Sequence, residues 1–499
     1  MNTGKRIAPR WAAAGLAALL GLAGCAAGPD YQRPAMDLPG GYKESGPWKT
    51  AQPGVVEGSR PWWEAYGDPT LSGLIVQANA ANQTIQQAQA QYRQARAAAD
   101  AARAGFWPTA GVNASAQRAR AKSNGVTGVS NGYAAALDVS WEPDLWGAVR
   151  RQVEASDAST QASQASLAAA RLSIQAALAQ DYLQLRAVDR EKDLYARTLD
   201  AYTRTLKLTQ SQYDAGVALR SDVAQAEAQL KTAEAQSIDL DATRSQLEHA
   251  IAILTGRAPA QFSLPPVAAG QPWMFQVPPV PTGLPSDLLE RRPDIAAAER
   301  DVASANAGIG VARAAYFPSL VLSASGGFGA ASFAQWFNAP GRVWSLGALL
   351  AETVFDGGLR KARDAQAVAV FDASAAQYKQ TVLGAFQEVE DNLSTLRVLD
   401  DEARAQDDAV TASRLSERLA LAQYRAGTTT FLTVAVAQAL TLSNERTAVQ
   451  LRGRQLVASV ALIKAVGGGW NADALNTPDA QALAIAGQPQ AASQPTENE

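Results

Sequence analysis

The 499-residue chain has almost none of the residues from which disulfides, metal sites and most catalytic centres are built. It contains one cysteine, Cys25, and one histidine, His249. A single cysteine forms no internal disulfide, and one histidine without a cysteine neighbour gives no metal-ligand cluster. No nucleophile stands at a recognisable spacing from a base. The sequence therefore predicts neither an enzyme nor a bound cofactor or metal.

Excess charge and long hydrophobic runs are also absent. The formal net charge is −3, and it becomes −6 if a leader carrying Lys5, Arg6 and Arg10 is removed. This mild acidity argues against nucleic acid as a partner. After residue 25 no apolar run reaches the roughly 18 residues of a transmembrane helix. If the body of the protein crosses a membrane, we expect strands to do so.

The N-terminal residues have the features of an export leader. Residues 1–24 combine three cations with a short apolar segment, which predicts a signal peptide. The leader ends in Leu22-Ala23-Gly24-Cys25, which resembles a bacterial lipobox, so we expect Cys25 to be acylated. Ala26 rather than Asp follows, which is typical of sorting to the outer membrane. Residues 25–70, rich in Pro, Gly and Trp, predict a lipidated, irregular wrap.

The most prominent feature that is present is an internal repeat. Arg103-Ala104-Gly105-Phe106-Trp107-Pro108 returns 210 positions later as Arg313-Ala314-Ala315-Tyr316-Phe317-Pro318. Other matches recur at offsets of 210 or 211. They are the pairs Gly147/Gly357, Arg150/Arg360, Gly216/Gly427 and Gly256/Gly467. We therefore predict a first repeat at 71–256 and a second at 286–467, which pack as pseudo-equivalents. A Pro-rich linker at 257–285 joins them, and residues 468–499 predict a disordered tail.

Each repeat contains one segment in which the hydrophobic period falls from 3.6 to 2. Residues 109–142 and 319–355 alternate between apolar and small or polar side chains, which predicts two β-hairpins. Strands of about 10–12 residues suit a membrane, which needs roughly 9–11. Aromatic residues near the strand ends favour an interfacial girdle: Tyr133, Trp141, Phe328 and Trp344. The alternative, two soluble amphipathic hairpins, is disfavoured because the polar face is thin and uncharged.

A very long helix follows each hairpin. Residues 147–212 and 357–423 predict helices of about 100 Å. Each ends at a Tyr-x-x-Gly turn whose glycine, Gly216 or Gly427, supplies a left-handed cap. Shorter return helices are predicted from 219 to 254 and from 431 to 466.

Four strands are too few to close a transmembrane barrel, which needs at least eight. Open strand edges in lipid are costly, so the chain must oligomerise. Two copies would give eight strands and a filled interior, whereas three would give twelve and a lumen. The predicted fold is mostly α with a transmembrane β part. It is a β-barrel in the outer membrane, continued into the periplasm by a barrel of long helices.

These residues carry a resemblance to the TolC-like outer-membrane efflux family, in its lipoprotein (NodT-type) branch. The most specific segment is Leu284-Pro285-Ser286-Asp287-Leu288-Leu289-Glu290-Arg291-Arg292-Pro293-Asp294-Ile295. The lipobox, Trp62-Trp63, Asp68-Pro69, Tyr316-Phe317-Pro318, Phe355-Asp356-Gly357-Gly358 and the two Tyr-x-x-Gly turns agree with it. The resemblance implies a homotrimer with twelve strands. It would work with a periplasmic adaptor and an inner-membrane pump, and export drugs or toxic compounds.

The resemblance also implies roles for the two turns, which would lie at the periplasmic tips and dock the adaptor. The docking residues are then Tyr213, Gly216, Val217, Ala218, Tyr424, Gly427, Thr428 and Thr429. Family members close this end by salt bridges and carboxylate rings. Asp222 and Arg425 are candidates for such a latch, although an exposed pair contributes only about 0–1 kcal/mol. Equally, Asp222 fits a simple charge at a helix N-terminus.

The chain departs from the carboxylate-ring pattern, because Thr433 and Val436 stand six and nine residues past Gly427. Two other functions remain open. One is the duct of a type I protein secretion system. The other is a lipid-anchored coiled-coil scaffold without a pore, which predicts no membrane strands.

Overall fold

The computed structural model describes residues 27–37, 39–44, 61–123, 126–268, 270, 275–280 and 285–476. Cys25, the predicted signal peptide and residues 477–499 lie outside these residues. The described chain is mostly helical with one small sheet, which confirms the coarse fold class. Among the described residues, no helix combines the length and the apolar character needed to cross a membrane.

The same order of elements occurs twice along the chain. The first half contains α1 (Pro69–Ala81), α2 (Gln83–Ala104), β1 (Thr109–Ser123), β2 (Val126–Trp141), α3 (Ala148–Asp214) and α4 (Arg220–Leu254). The second half contains α5 (Leu288–Arg291), α6 (Pro293–Ala314), β3 (Ser319–Ala330), β4 (Arg342–Ala351), α7 (Leu359–Arg425) and α8 (Phe431–Ala465). Helices α3 and α7 have 67 residues each, and α4 and α8 have 35 each.

The chain divides into two compact units. The first comprises the described parts of residues 1–36, 91–164 and 297–379, and includes all four strands. The second comprises the described parts of residues 37–90, 165–296 and 380–476, and includes both Tyr-x-x-Gly turns.

In the first unit the four strands form one antiparallel sheet in chain order, β1-β2-β3-β4. Its register aligns the predicted apolar positions. Val112 lies opposite Leu137, Leu137 opposite Gly326, and Gly326 opposite Trp344. Directly opposed residues point to the same face of a sheet. The two hairpins therefore share one apolar face, as the alternation predicts.

Strands β1 and β2 have 15 and 16 residues, longer than the predicted 10–12. The excess lies beyond the four-stranded part, because the last rung that joins β2 to β3 is Tyr133 opposite Ala330. The first hairpin continues alone from there to Ser123 opposite Val126. Residues 126–132 are rich in Ser, Asn and Gly, a composition that predicts a loop. They instead pair with β1 across this two-stranded extension.

An aspartate caps the start of each long helix, also in the first unit. The Asp144 carboxylate accepts from the backbone N–H of Val149 and Arg150 at 3.0 and 2.9 Å. Asp356 accepts from the N–H of Gly358 and Arg360 at 2.9 and 3.1 Å. In each case the capped arginine also donates from Nε to the same aspartate, at 3.3 Å for Arg150 and 2.7 Å for Arg360. In both copies the carboxylate satisfies N–H groups that a helix start leaves free, and the repeated arginine binds that carboxylate.

In the second unit, the C-terminal end of each return helix is held by a residue that lies between the first two helices of its repeat. We call these two contacts the joints. Asn82 donates to the carbonyl of Leu254 at 2.9 Å, and Arg292 donates to the carbonyl of Ala465 at 3.0 Å. Gly256 and Gly467, with φ of 73° and 95°, follow those carbonyls. A Cβ at either glycine would overlap a backbone oxygen, that of Ala81 or Arg291 respectively. The repeated glycines are therefore needed for close backbone approach as well as for positive φ.

The described part of the Pro-rich linker is held to the second unit by a buried ionic cluster. The Asp189 carboxylate accepts from Arg186 and Arg244, at 2.9 and 2.8 Å. The same two guanidiniums donate to the linker carbonyls of Pro265 and Leu264, at 2.9 and 2.6 Å. These bonds tie residues 264–265 to helices α3 and α4.

Candidate functional site

The apolar face of the sheet is exposed to the surroundings of the single chain. Val112, Trp344 and Leu346 are 81%, 77% and 74% exposed. The other large apolar side chains of this face, with at least a third of their surface accessible, are Val129, Leu137, Trp141 and Leu350. An apolar surface of this extent on a monomer indicates contact with a membrane or another protein.

The opposite face carries mostly small and polar side chains, with Val343 and Leu349 of β4 as exposed apolar exceptions. The Asn113 amide donates to the Asp138 carboxylate across β1 and β2. Ser325 lies opposite Ser345, and Ser323 opposite Gly347, so the same face continues across β3 and β4. The sheet thus separates an apolar side from a side on which small and polar residues predominate.

Aromatic residues mark both ends of the apolar face, where the sequence predicts a girdle. At the end near the helices, Trp141 donates from Nε1 to the Phe106 carbonyl at 3.0 Å. At the far end, Phe333 and Trp336 of the β3–β4 loop pack on Tyr133, with ring centroids 5.7 Å apart in each pair. Phe337 packs on Phe328, also at 5.7 Å. Tyr133 and Phe328 belong to the apolar face, so this far-end aromatic cluster lies on that side of the sheet.

Sequence reasoning missed three cations on the extension of the first hairpin. Arg118, Arg120 and Lys122 are exposed, and they continue the even-numbered positions of β1 that form its apolar face. The available signal was the strand period of 2, which places every second residue from Val112 to Lys122 on one face.

The two Tyr-x-x-Gly turns in the second unit share one backbone geometry. Gly216 and Gly427 both have φ of 74°. The N–H of Val217 donates to the Gln212 carbonyl at 2.8 Å, and that of Thr428 donates to the Gln423 carbonyl at 3.0 Å. These bonds are those of a left-handed helix C-cap.

The side chains of the two turns differ. In the first turn Val217 and Leu219 are 72% and 70% exposed, and Tyr213 is also exposed. In the second turn Tyr424 is only 5% exposed, packs on Phe431 with centroids 5.7 Å apart, and donates to Thr209 Oγ1 at 3.3 Å. Thr428 is exposed, whereas Ala218 and Thr429 are half-buried. The first turn therefore offers an apolar tip and the second a polar one.

The structure does not bring Asp222 and Arg425 together within one chain. The Asp222 carboxylate accepts from the backbone N–H of Leu219 at 3.2 Å, at the start of α4. Among the described residues these two side chains form no ion pair with each other. Thr433 accepts from Thr429 Oγ1 at 3.1 Å, and Val436 is 60% exposed. The role of Asp222 within the chain is that of a helix N-terminal cap.

Within the part of the chain that the structure describes, no group of three or more His, Cys, Asp or Glu side chains could hold a metal ion. The single histidine, His249, is exposed on α4.

Comparison with known proteins agrees with this geometry. The model of the outer membrane efflux protein family matches residues 74–257 and 284–468, which together are most of the chain. The pyoverdine export outer membrane protein OpmQ of Pseudomonas aeruginosa is 31% identical over 448 residues, covering 87% of this chain and 93% of OpmQ. The toluene efflux pump outer membrane protein TtgC of Pseudomonas putida is 31% identical, covering 90% and 93%.

Two further similarities bear on the branch and on the fold. Nodulation protein T of Rhizobium leguminosarum bv. trifolii is 31% identical, covering 84% of this chain and 88% of that protein. The solved structure of the outer-membrane channel OprN superposes with a TM-score of 0.83 at 33% identity, covering 89% of this chain and all of that one.

The fold and the two-faced sheet define an outer-membrane channel. The chain belongs to the outer membrane efflux protein family, which confirms the resemblance drawn from its sequence. Its place is the outer membrane, and its function is that of an efflux channel.

Proposed function

We propose that three copies of the chain close into a twelve-stranded barrel, the exit duct of a tripartite pump. The observation that supports this proposal most directly is the four-stranded sheet. Among the described strands, β1 pairs only with β2 and β4 only with β3, so each outer strand has a free edge. Its apolar face is exposed, and unpaired edges in lipid are costly. Pairing β4 of one copy with β1 of the next would remove both edges.

The number three rests on the character of the two faces. Two copies would give eight strands, whose interior side chains fill. The inner face here would carry Asn113, Asp138, Ser325 and Ser345, which suit a water-filled lumen. Twelve strands provide such a lumen.

The long helices would continue this duct into the periplasm, with the two turns at its end. An adaptor protein would dock there and connect the duct to an inner-membrane pump. Val217 and Leu219 supply the apolar contact, and Thr428 and Thr429 the polar one. We leave Tyr424 out of this surface, because its side chain is buried under the turn.

We further propose that Asp222 and Arg425 pair between neighbouring copies when the duct is closed. Within one chain the Asp222 carboxylate has a single backbone donor, so it has capacity for a second partner. An exposed pair would contribute about 0–1 kcal/mol per contact.

The lipid anchor at Cys25 belongs to the same proposal. Residues 27–33, just after it, are fixed to the first unit. Arg151 donates to the Ala27 carbonyl at 3.1 Å and to Asp30 at 2.9 Å, and Tyr31 donates to the buried Glu299. A segment held this firmly supports acyl chains attached close to the sheet.

We propose drugs and other small toxic compounds as the exported class. The relatives described above are named for pyoverdine export and toluene efflux, which are small molecules. These names favour a pump duct over a type I secretion duct.

A matched pair of substitutions on β4 tests the membrane assignment. Leu346→Arg places a cation on the proposed lipid face, and Ser345→Arg places the same cation on the proposed lumen face. A cation facing the middle of the bilayer costs about 2–4 kcal/mol, and each of the three copies would bear this cost. We expect Leu346→Arg to abolish trimers in outer-membrane extracts and Ser345→Arg to leave them intact. Equal tolerance of both changes, or a monomer by native mass spectrometry, would refute the proposal.

A further inference from the structure

The two-stranded extension of the first hairpin carries three cations on one side only. Arg118 lies opposite Asn131, Arg120 opposite Val129, and Lys122 opposite Thr127. These rungs lie past Tyr133, where pairing with the second hairpin ends. The cations share a face with Val112, Ala114 and Ala116, because positions two apart on a strand point the same way. We call these three residues the basic ladder.

No acidic residue balances the basic ladder. Between Asp100 and Asp138 the sequence has neither Asp nor Glu. The neighbours on the opposite face, Gln117 and Ala119, are uncharged. Among the described residues, the three cations form no ion pair. A hairpin that simply projected into water would have no reason to confine its charge to one face.

The far-end aromatic cluster gives the height of the basic ladder relative to the proposed membrane. Tyr133 lies opposite Ala116, and its ring packs on Phe333 and Trp336. Rings of this kind lie at the interface between lipid tails and polar headgroups. At about 3.4 Å per residue, Arg118 follows that rung by about 7 Å and Lys122 by about 20 Å along the strand. The basic ladder therefore begins where the apolar band ends, on the side that faces lipid.

We propose that the basic ladder binds the phosphate groups of the phosphorylated glycolipid in the outer leaflet, that is, lipopolysaccharide. This inference rests on the proposed function, because it requires the apolar face to contact lipid. The guanidinium of arginine matches phosphate oxygens with two parallel hydrogen bonds, and lysine adds a point charge. Cations at every second residue present a row of donors to several phosphates. The register excludes the alternative role of an ion filter, because the opposite face of β1 would line the lumen.

The first test measures retention of bis-phosphorylated lipid A by the purified, full-length assembly in detergent, using native mass spectrometry. Each basic residue near an anionic lipid surface contributes about fivefold, so the R118Q/R120Q/K122Q variant should bind about a hundredfold more weakly. The control R204Q/K231Q/R404Q removes three exposed helix cations and the same net charge. It should bind lipid A like the parent protein.

The second test moves charge without removing it. In Q117R/R118Q/A119R/R120Q two arginines pass to the opposite face, while the number of cations is unchanged. We expect about a thirtyfold loss of lipid A binding, because two of the three donors no longer face lipid. Binding equal to the parent protein would overturn the proposal.

Binding measurements with two other lipids identify the chemistry of the ligand. Dephosphorylated lipid A should be retained no better by the parent than by the neutralised variant, and phosphatidylglycerol should bind more weakly than bis-phosphorylated lipid A. The opposite result in either arm overturns the glycolipid assignment. Conductance across a planar bilayer is recorded for every protein. If the parent protein forms conducting trimers but does not bind lipid A, this inference alone is refuted. If the parent protein forms no trimers or does not conduct, the proposed function is refuted.

Discussion

The two copies of the repeat agree where backbones meet and differ where side chains face outward. In both joints a polar side chain, from Asn82 or Arg292, donates to a carbonyl of the return helix, and a glycine lies two residues after that carbonyl. In the hairpins, the first copy has long strands and the basic ladder. The second has strands of 12 and 10 residues and an aromatic loop. The difference shows that close backbone contact restrains sequence, whereas a face that meets lipid or water can specialise.

The sharpest way to break this comparison is to add a methyl group at the joints. Gly256→Ala and Gly467→Ala each force a left-handed conformation on a residue with a Cβ and overlap a backbone oxygen. We expect a loss of several kcal/mol, comparable with severe overpacking, and little folded protein in the membrane. Extracted trimer yield and the thermal unfolding temperature measure the effect.

The turn glycines provide the control for the joint glycines. Gly216→Ala and Gly427→Ala meet the same left-handed φ, but open space surrounds both positions. Each should cost only about 1–2 kcal/mol. Losses as large as those at the joints would show that φ alone, without close approach, explains the repeated glycines.

The second prediction compares the two polar side chains of the joints. Arg292→Met removes a buried cation that also binds Asp294 and Glu388, at 2.6 and 2.7 Å, and leaves the Ala465 carbonyl without this donor. We expect about 3 kcal/mol of destabilisation. Asn82→Ala removes one bond to Leu254 and the cap of α2, at a cost of about 1–2 kcal/mol. Denaturant unfolding in detergent measures both, and the reverse order would contradict the ionic account.

The third prediction tests the asymmetry of the tips. Val217→Thr with Leu219→Thr makes the first turn as polar as the second. If the apolar tip docks the adaptor, its affinity should fall by about tenfold, and cells should retain more of a fluorescent efflux dye. Ile238→Thr, at a residue of similar exposure far from the turn, serves as the control. Unchanged dye efflux by the tip variant would remove Val217 and Leu219 from the docking surface.

The smallest expected effect concerns one position at which the copies differ in charge. Leu206 packs against the core cluster that contains Tyr424 and Phe431, whereas the second copy has Glu417 at the equivalent place. Burial raises the pKa of Glu417, and the nearby Glu445 carboxylate adds to the rise, while the polar side chains of Thr441 and Gln438 and the Arg414 cation oppose it. A carboxyl with a raised pKa in the folded state binds its proton more tightly there. Folding is therefore favoured at acidic pH, and this contribution is lost as the pH rises through the folded pKa.

Glu417→Gln should accordingly raise the unfolding temperature at pH 7 by about 2 °C, a value reduced by solvent screening. The gain should vanish near pH 4, where the native carboxyl is protonated. Asp408→Asn, at an exposed position of the same helix, is the control that removes the same charge. A gain that is the same at both values would assign the effect to something other than ionisation.

Local patterns in the sequence were sufficient for much of this structure. The alternation from Val112 to Trp141 predicts both faces of the first hairpin, and the Gly216 and Gly427 turns follow from residue type alone. The joints were beyond sequence reasoning, because the contact of Gly467 with Arg291 joins residues 176 positions apart and depends on backbone approach. The burial of Tyr424 against the exposure of Tyr213 was equally hidden, since two identical motifs meet different neighbours.

The joints also show how two copies of a repeat can differ in sequence and still keep the same backbone arrangement. An amide of modest length at position 82 and a long guanidinium at position 292 reach the same kind of carbonyl by different routes. What selection must preserve there is a donor that arrives at one point in space, together with a residue that has no side chain. The sequences of the two halves can therefore diverge at most other positions while both halves keep the same backbone arrangement.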